Sequence, residues 1–326
     1  MKKLSIIILL VISFLAKAQI SPRIYGEKQD FENLKTRPLI IEILEEDPKT
    51  LKKLSSPKKA DELKDYISFI KEFNENFKLY VEKYWKLNSK FEYKTVTEVN
   101  ALNKAKNSTY AVIRYISLND IESYGLKSGL SVPAIAYTRI ESDRKRPDAK
   151  NYLPYRYFNN NDKSLNEGDY RYVIETLQAN VNWIVKNDKS LNFDKFSEKM
   201  ANENCSKLKG KTLLIEDNMM LKGRSMDEAK KNYGGDLKFV TEKEINDAFV
   251  NKTKNTAVMY AAPYGIMKGG ALVVQVSRTV FFKIIVDCET GEILYLYMPG
   301  GLSYGANISN QMTETEFKTL RDCKIL

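Results

Sequence analysis

The stretch FEYKTVTEVNALNKAKNSTYAVI, residues 91–113, has a counterpart in LKFVTEKEINDAFVNKTKNTAVM, residues 237–259. Tyr93, Thr95, Glu98, Val99 and Val112 stand at a constant offset of 146 from Phe239, Thr241, Glu244, Ile245 and Val258. Each stretch reads as a strand, a Thr-capped helix, a turn carrying Lys and Asn, and a second strand. Alternating apolar and polar positions give the strands their period of two, and a threonine hydroxyl can satisfy a free N–H at a helix start. In the first copy either Thr95 or Thr97 can supply that cap.

Working outward, the runs over 39–44 and 211–216 read as matching opening strands, Leu39-Ile40-Ile41-Glu42 standing at an offset of 174 from Leu213-Leu214-Ile215-Glu216, so the first copy carries about 28 extra residues. They fall in a long helical pattern over 59–87, where Leu63, Tyr66, Ile67, Ile70 and Phe73 recur at helical spacing and residues 74–76 interrupt it. The first copy continues with strands over 109–116 and 131–140, a polar connection over 141–165, and an amphipathic helix over 170–186. The second has a helix over 226–233 stopped by Gly234-Gly235. Strands over 271–276 and 279–286 follow, then a turn with Gly291 at a positive-φ position, a strand over 293–297 and a last helix over about 313–321. The expected fold is α/β: two tandem, duplicated small domains, 24–190 with the helical insertion and 205–326, with mixed sheets and a C-terminal β-hairpin. This βαβαβ alternation with a β-rich extension resembles in outline the small Rossmann-like domains of bacterial envelope assembly proteins. The resemblance is one of arrangement and carries no site residue across.

The N-terminus reads as an export signal. Lys2 and Lys3 precede an apolar run over 4–15, and Ala16-Lys17-Ala18 offers small residues for cleavage, leaving Gln19 as the expected mature terminus. The run is shorter than the roughly 20 residues needed to span a bilayer, so no stable transmembrane segment is expected in the mature chain. No Cys follows it to be acylated. The expected location is periplasmic or secreted.

Loss of residues 1–18 takes Lys2, Lys3 and Lys17 and lowers the formal charge from +10 to +7. The excess is dispersed, the densest basic stretch being Arg144-Lys145-Arg146, and no nucleic-acid motif or nucleic-acid partner is expected. The three cysteines lie at 205, 288 and 323. An oxidising compartment permits one disulfide among them, and Cys205 with Cys323 would close the ends of the second domain if they met in space.

The chain has no histidine. That removes Ser-His-Asp and Cys-His nucleophile activation, imidazole metal ligands and axial-His haem, and no metal or other cofactor is expected. Gly210-Lys211-Thr212 precedes a strand instead of following one, so it is not a phosphate loop. The GxSxG pattern around Ser303 has no base to take its proton.

Two candidate surfaces remain. Glu42, Glu45, Glu46 and Asp47 lie in or just after the first opening strand, and Glu216 and Asp217 occupy the corresponding region of the second copy, where ligands gather in parallel sheets; of these, Glu45, Glu46, Glu216 and Asp217 could serve a histidine-independent carboxylate hydrolase. Tyr152, Tyr155, Arg156 and Tyr157 in the polar connection could form an adherent surface for an envelope protein or a glycan. The leading expectation is an exported, non-catalytic binding protein, with the hydrolase as the alternative.

Overall fold

The computed structural model describes residues 28–117, 133–139, 150–154, 165–187, 199, 202–220, 225–269, 276–297 and 310–323. The expected export signal, Tyr155, Arg156, Tyr157 and Ser303 lie outside them. The protein is a mixed α/β fold with two separate sheets and helices.

The first unit contains α1 (Lys28–Thr36), β1 (Leu39–Ile43), α2 (Pro48–Leu54), α3 (Ala60–Tyr84), β2 (Phe91–Thr95), α4 (Val96–Lys104), β3 (Ala111–Ser117), β4 (Pro133–Arg139), β5 (Lys150–Pro154) and α5 (Glu167–Asn187). The second contains β6 (Thr212–Glu216), α6 (Met226–Tyr233), β7 (Leu237–Val240), α7 (Glu242–Val250), β8 (Thr256–Gly269), β9 (Val276–Asp287), β10 (Ile293–Tyr297) and α8 (Glu314–Arg321). The sheets are ordered β2-β1-β3-β4-β5 and β7-β6-β8-β9-β10. In each, the first three strands pair in parallel and the remaining pairings are antiparallel.

The registers agree as well as the order. Leu39 lies opposite Phe91 and Ala111, and Leu213 lies opposite Leu237 and Ala257, the positions given by the offsets of 174 and 146. Thr95, and not Thr97, caps α4 in a reciprocal capping box with Glu98, and Thr241 does the same for α7 with Glu244. Both helices end alike: Lys106 at φ 51° and Lys252 at φ 55° take the left-handed conformation at equivalent positions.

Two details depart from the sequence reading. Residues 74–76 do not interrupt the long helix, because the Asn74 amide bonds outward, accepting from Leu44 N at 2.9 Å and donating to Leu44 O at 3.0 Å. The connection over 141–165 contains β5, whose Tyr152 lies opposite Ala136 of β4. The length difference between the units falls between their first two strands, where α3 has 25 residues and α6 has 8.

Strand alternation gives each sheet two apolar faces. Leu39, Ile41, Ala111, Ile113, Ile135 and Tyr137 share a core with α3 and α5, while Leu213, Ile215, Ala257, Met259 and Ile285 pack with α6 and α8. The other face of the second sheet, with Leu214, Val258, Tyr260, Ile284 and Val286, joins the first unit's core through α5 and α7. Helix α5 is therefore buried on more than one side. Its Arg171 is fully buried, donates to Phe249 O, lies 4.1 Å over the Phe249 ring and forms an ion pair with Glu175 at 3.0 Å. The β9–β10 turn presses on the same helix: Gly291 has φ 71°, and a Cβ there would stand 2.2 Å from Glu175 Oε2. Only glycine meets both demands.

The second unit is fastened at its C-terminal helix. A disulfide joins Cys205, in the 3-10 turn Cys205–Leu208, to Cys323 just beyond α8, with the Cα atoms 5.7 Å apart. Near the other end, buried Lys283 of β9 pairs with Glu316 of α8 and donates to Gln311 O at 2.7 Å. Cys288 is a buried free thiol, pushed up to about 12 by burial, which removes it from thiolate chemistry.

Candidate functional site

The four candidate carboxylates divide between the two sheets. Glu45 sits beyond β1, and its carboxylate accepts Thr97 N at 2.6 Å in the first turn of α4. Hydrogen bonding from the Thr97 side chain, and next from its backbone N–H, holds the carboxyl below the usual glutamate range. Glu46 and Asp217 are exposed. Glu216 is buried at the end of β6 and accepts the Asn218 amide at 2.7 Å. Strand register makes Glu42, and neither Glu45 nor Glu46, the counterpart of Glu216.

Glu42 is itself buried, 3.8 Å from the Arg114 guanidinium. Burial pushes its carboxyl up to about 7, against the pull of Arg114 and with a further push from Glu45. Between pH 4.5, the ordinary glutamate value, and 7 the folded carboxyl holds a proton that the unfolded chain has released. The stability contributed by this group is therefore complete below about pH 4.5 and is lost as pH rises through 7. Glu42→Gln should match the wild type in stability at pH 4.5 and exceed it at pH 8 by about 1–3 kcal/mol. Denaturant titrations at the two pH values check this; an equal difference at both would mean that Glu42 ionises as an ordinary glutamate.

None of the four candidate carboxylates lines the cavity of about 780 Å3 that opens between the two units. The floor of this groove is α5, which presents Glu175, Gln178, Ala179, Asn182, Trp183 and Lys186 at helical spacing. At 1.5 Å per residue that row is about 16 Å long. One wall is the end of α3 with Lys83, Tyr84 and Lys86; the other is Asn204, the end of α7 with Val250 and Lys252, and the turn from Thr290 to Ile293. Three helix C-termini meet at this opening, which explains part of its lysine content, since cations are favoured beside the negative end of a helix.

The groove is held in shape by its own hydrogen bonds. Gln178 accepts Lys86 N at 2.5 Å and donates to Tyr84 O at 3.0 Å, bridging floor and wall. Asn204 donates to Ile293 O at 2.9 Å. Lys83 and the Tyr84 hydroxyl both bond to Glu167, and Glu292 is paired with Lys207 at 2.7 Å. Such a surface is preformed, with fixed hydrogen-bonding and charged groups set among apolar parts of its lining, suited to holding a ligand by hydrogen bonds and charge.

Among the described residues, no group of three or more His, Cys, Asp or Glu could hold a metal ion, and no helix is long and apolar enough to cross a membrane. Of the aromatic candidates, Tyr152 is placed on β5 and the other three residues lie outside the described structure. The groove residues escaped the sequence reading because they come from separate segments and are individually ordinary lysines and amides. Comparison with protein-family models, with curated proteins and with solved structures finds no match.

Proposed function

We propose that this chain is an exported, non-catalytic binding protein of the envelope or the extracellular space, and that it takes a protein or glycan ligand in the groove over α5. The observation that carries the reading is the groove itself: about 780 Å3, walled by both units, with Gln178, Asn204, Glu175 and Glu292 already held by intramolecular partners. Its polar groups have fixed positions before any ligand arrives, which lowers the ordering cost of binding. Export is supported by the basic and apolar N-terminal stretch and by the Cys205–Cys323 disulfide, a bond of oxidising compartments.

We also read the two units as a duplication ending in a C-terminal hairpin, β9–β10. The shared strand order, the two constant offsets, the paired capping boxes at Thr95 and Thr241 and the equivalent left-handed Lys106 and Lys252 support it. A duplicated α/β unit with one helix between its copies makes a groove without a separate binding domain.

Ala179 is a half-buried small residue in the middle of the floor. Ala179→Trp should fill the groove and abolish saturable binding to the cognate member of a panel of envelope glycans and peptides, at least about 30-fold in Kd. The fourfold amide variant of Glu45, Glu46, Glu216 and Asp217 should bind as the wild type does. Turnover of any panel member that is lost in an amide variant would replace this reading with the carboxylate hydrolase.

A further inference from the structure

We propose that the ligand of the α5 groove is an acidic glycan, its anionic groups held by Lys86, Lys186 and Lys252. This rests on the groove reading above and adds the chemistry of the occupant.

Charge accounting within the groove leads to it. Both lining carboxylates have cationic partners outside the lining: Glu175 has Arg171 at 3.0 Å and Glu292 has Lys207 at 2.7 Å. Of the four lining lysines, Lys83 is taken by Glu167. Among the described residues, Lys86, Lys186 and Lys252 have no carboxylate partner, and all three are exposed. Three uncompensated cations therefore surround one opening.

The helix ends do not consume them. Lys83 O receives one hydrogen bond from Lys86 Nζ at 2.9 Å, leaving two of its three donors. Tyr84 O is bonded by the Gln178 amide, Trp183 O by the Asn187 amide at 2.8 Å, and Phe249 O by the Lys252 backbone N–H at 3.2 Å. The Lys186 and Lys252 ammonium groups are left to meet a ligand. They are also far apart in sequence yet drawn together by α5 and α7, so they address one extended molecule along a floor of about 16 Å.

The choice of glycan over acidic peptide comes from what the lining lacks. A peptide-binding groove draws its affinity from buried aromatic or aliphatic anchors and the sockets that take them. Here every exposed lining side chain is polar: Lys83, Lys86, Asn182, Lys186, Lys252 and Thr290. Of the apolar lining residues, Tyr84, Trp183 and Ile293 are buried in the protein's own packing, and only the small Ala179 and Val250 are half-buried. Amide, hydroxyl and ammonium groups match a chain of hydroxyls punctuated by carboxylates or sulfates.

The test uses the mature chain, with its disulfide intact, titrated calorimetrically with a polygalacturonate oligomer, dextran sulfate, neutral dextran and a poly-glutamate peptide. The first two distinguish carboxylate from sulfate as the anion. At least one of them should bind saturably, weaken about tenfold or more between 50 and 200 mM salt, and bind more tightly than neutral dextran and poly-glutamate. The triple variant Lys86→Gln, Lys186→Gln, Lys252→Gln should lose about 30-fold or more in affinity with an unchanged melting temperature, and Ala179→Trp should lose as much. If Ala179→Trp abolishes binding while the triple variant and salt do nothing, the groove stands and its anionic ligand is wrong. Loss in the triple variant alone would mean that the lysines hold the anion at the rim without the groove floor, and would overturn the groove reading and the proposal that rests on it. Tighter binding of poly-glutamate than of either glycan, or no binding of either glycan, would overturn the glycan.

Discussion

Replacing both Cys205 and Cys323 with Ser should lower the unfolding free energy by about 3–5 kcal/mol, read from urea denaturation of oxidised wild type and variant at the same pH. The bridge spans 118 residues, and closing a loop of that length restricts the unfolded chain by an amount worth about 5 kcal/mol in the chain-entropy account, less any residual structure in the unfolded ensemble. The folded state adds a local reason. Helix α8 has only 8 residues, too few to persist alone, and the bridge ties its end to the turn at Cys205–Leu208, whose Leu208 packs in the same core as Phe317 and Leu320. Reduced wild type should unfold with the midpoint of the double variant. A variant midpoint equal to that of oxidised wild type would mean that core packing alone fixes α8.

The recurring pattern around Thr95 and Thr241 was legible because every signal in it is local. A β-branched strand, a threonine with a glutamate three residues on, and a turn at fixed distance all lie within about 23 residues of one another. Strand β5 was not legible. Its sequence, KNYLP, has no apolar alternation, and it is a strand because it lies on the edge of a sheet beside β4. Helix α5 was legible as a helix and misleading as a surface. Val173, Ile174, Leu177, Val181 and Ile184 mark one apolar stripe, yet Arg171, Thr176, Gln178 and Asn180 are buried too, because elements of both units, the end of α3 at Gln178 and α7 at Arg171, pack on sides the stripe does not mark. Burial of a polar face by such elements leaves no period in the sequence.

The same limit governed the candidate site. Acidic residues at the ends of β1 and β6 were visible because they close predicted strands, and the offset of 174 agrees with the strand register in setting Glu42 against Glu216, but nothing in the spacing showed that Glu45, Glu46, Glu216 and Asp217 divide between two sheets. The groove needs the ends of α3, α5 and α7 and the β9–β10 turn in one place. Its residues span more than 200 positions, and no short-range pattern relates Lys86 to Lys252 or Asn182 to Gly291. Gly291 was marked for a turn, but not for its close approach to Glu175, which requires knowing that the turn meets α5.

Lys283→Met should destabilise the protein by about 3–5 kcal/mol, and adding Glu316→Gln to it should restore a large part of the loss. Both side chains are nearly inaccessible, 2% and 4% exposed, and each depends on the other. Burial draws the Lys283 ammonium below its ordinary range while Glu316 opposes that shift, so the pair is a balance of desolvation against mutual attraction. Glu316 also holds the start of α8, where its other oxygen accepts Thr313 N at 2.7 Å in the capping box. Removing the lysine leaves a buried carboxylate without its cation, whereas the neutral amide introduced by Glu316→Gln can keep the capping bond without carrying a charge into the core. The first unit shows that the fold accommodates an apolar residue here, since β4 carries buried Ile135 at the register position that Lys283 occupies on β9. A double-mutant cycle by urea denaturation reads the coupling, expected at about 2 kcal/mol or more in favour of the native pair. Additive losses would mean that the two side chains stabilise the fold separately, through packing on Tyr297 and the helix cap, and not as an ion pair.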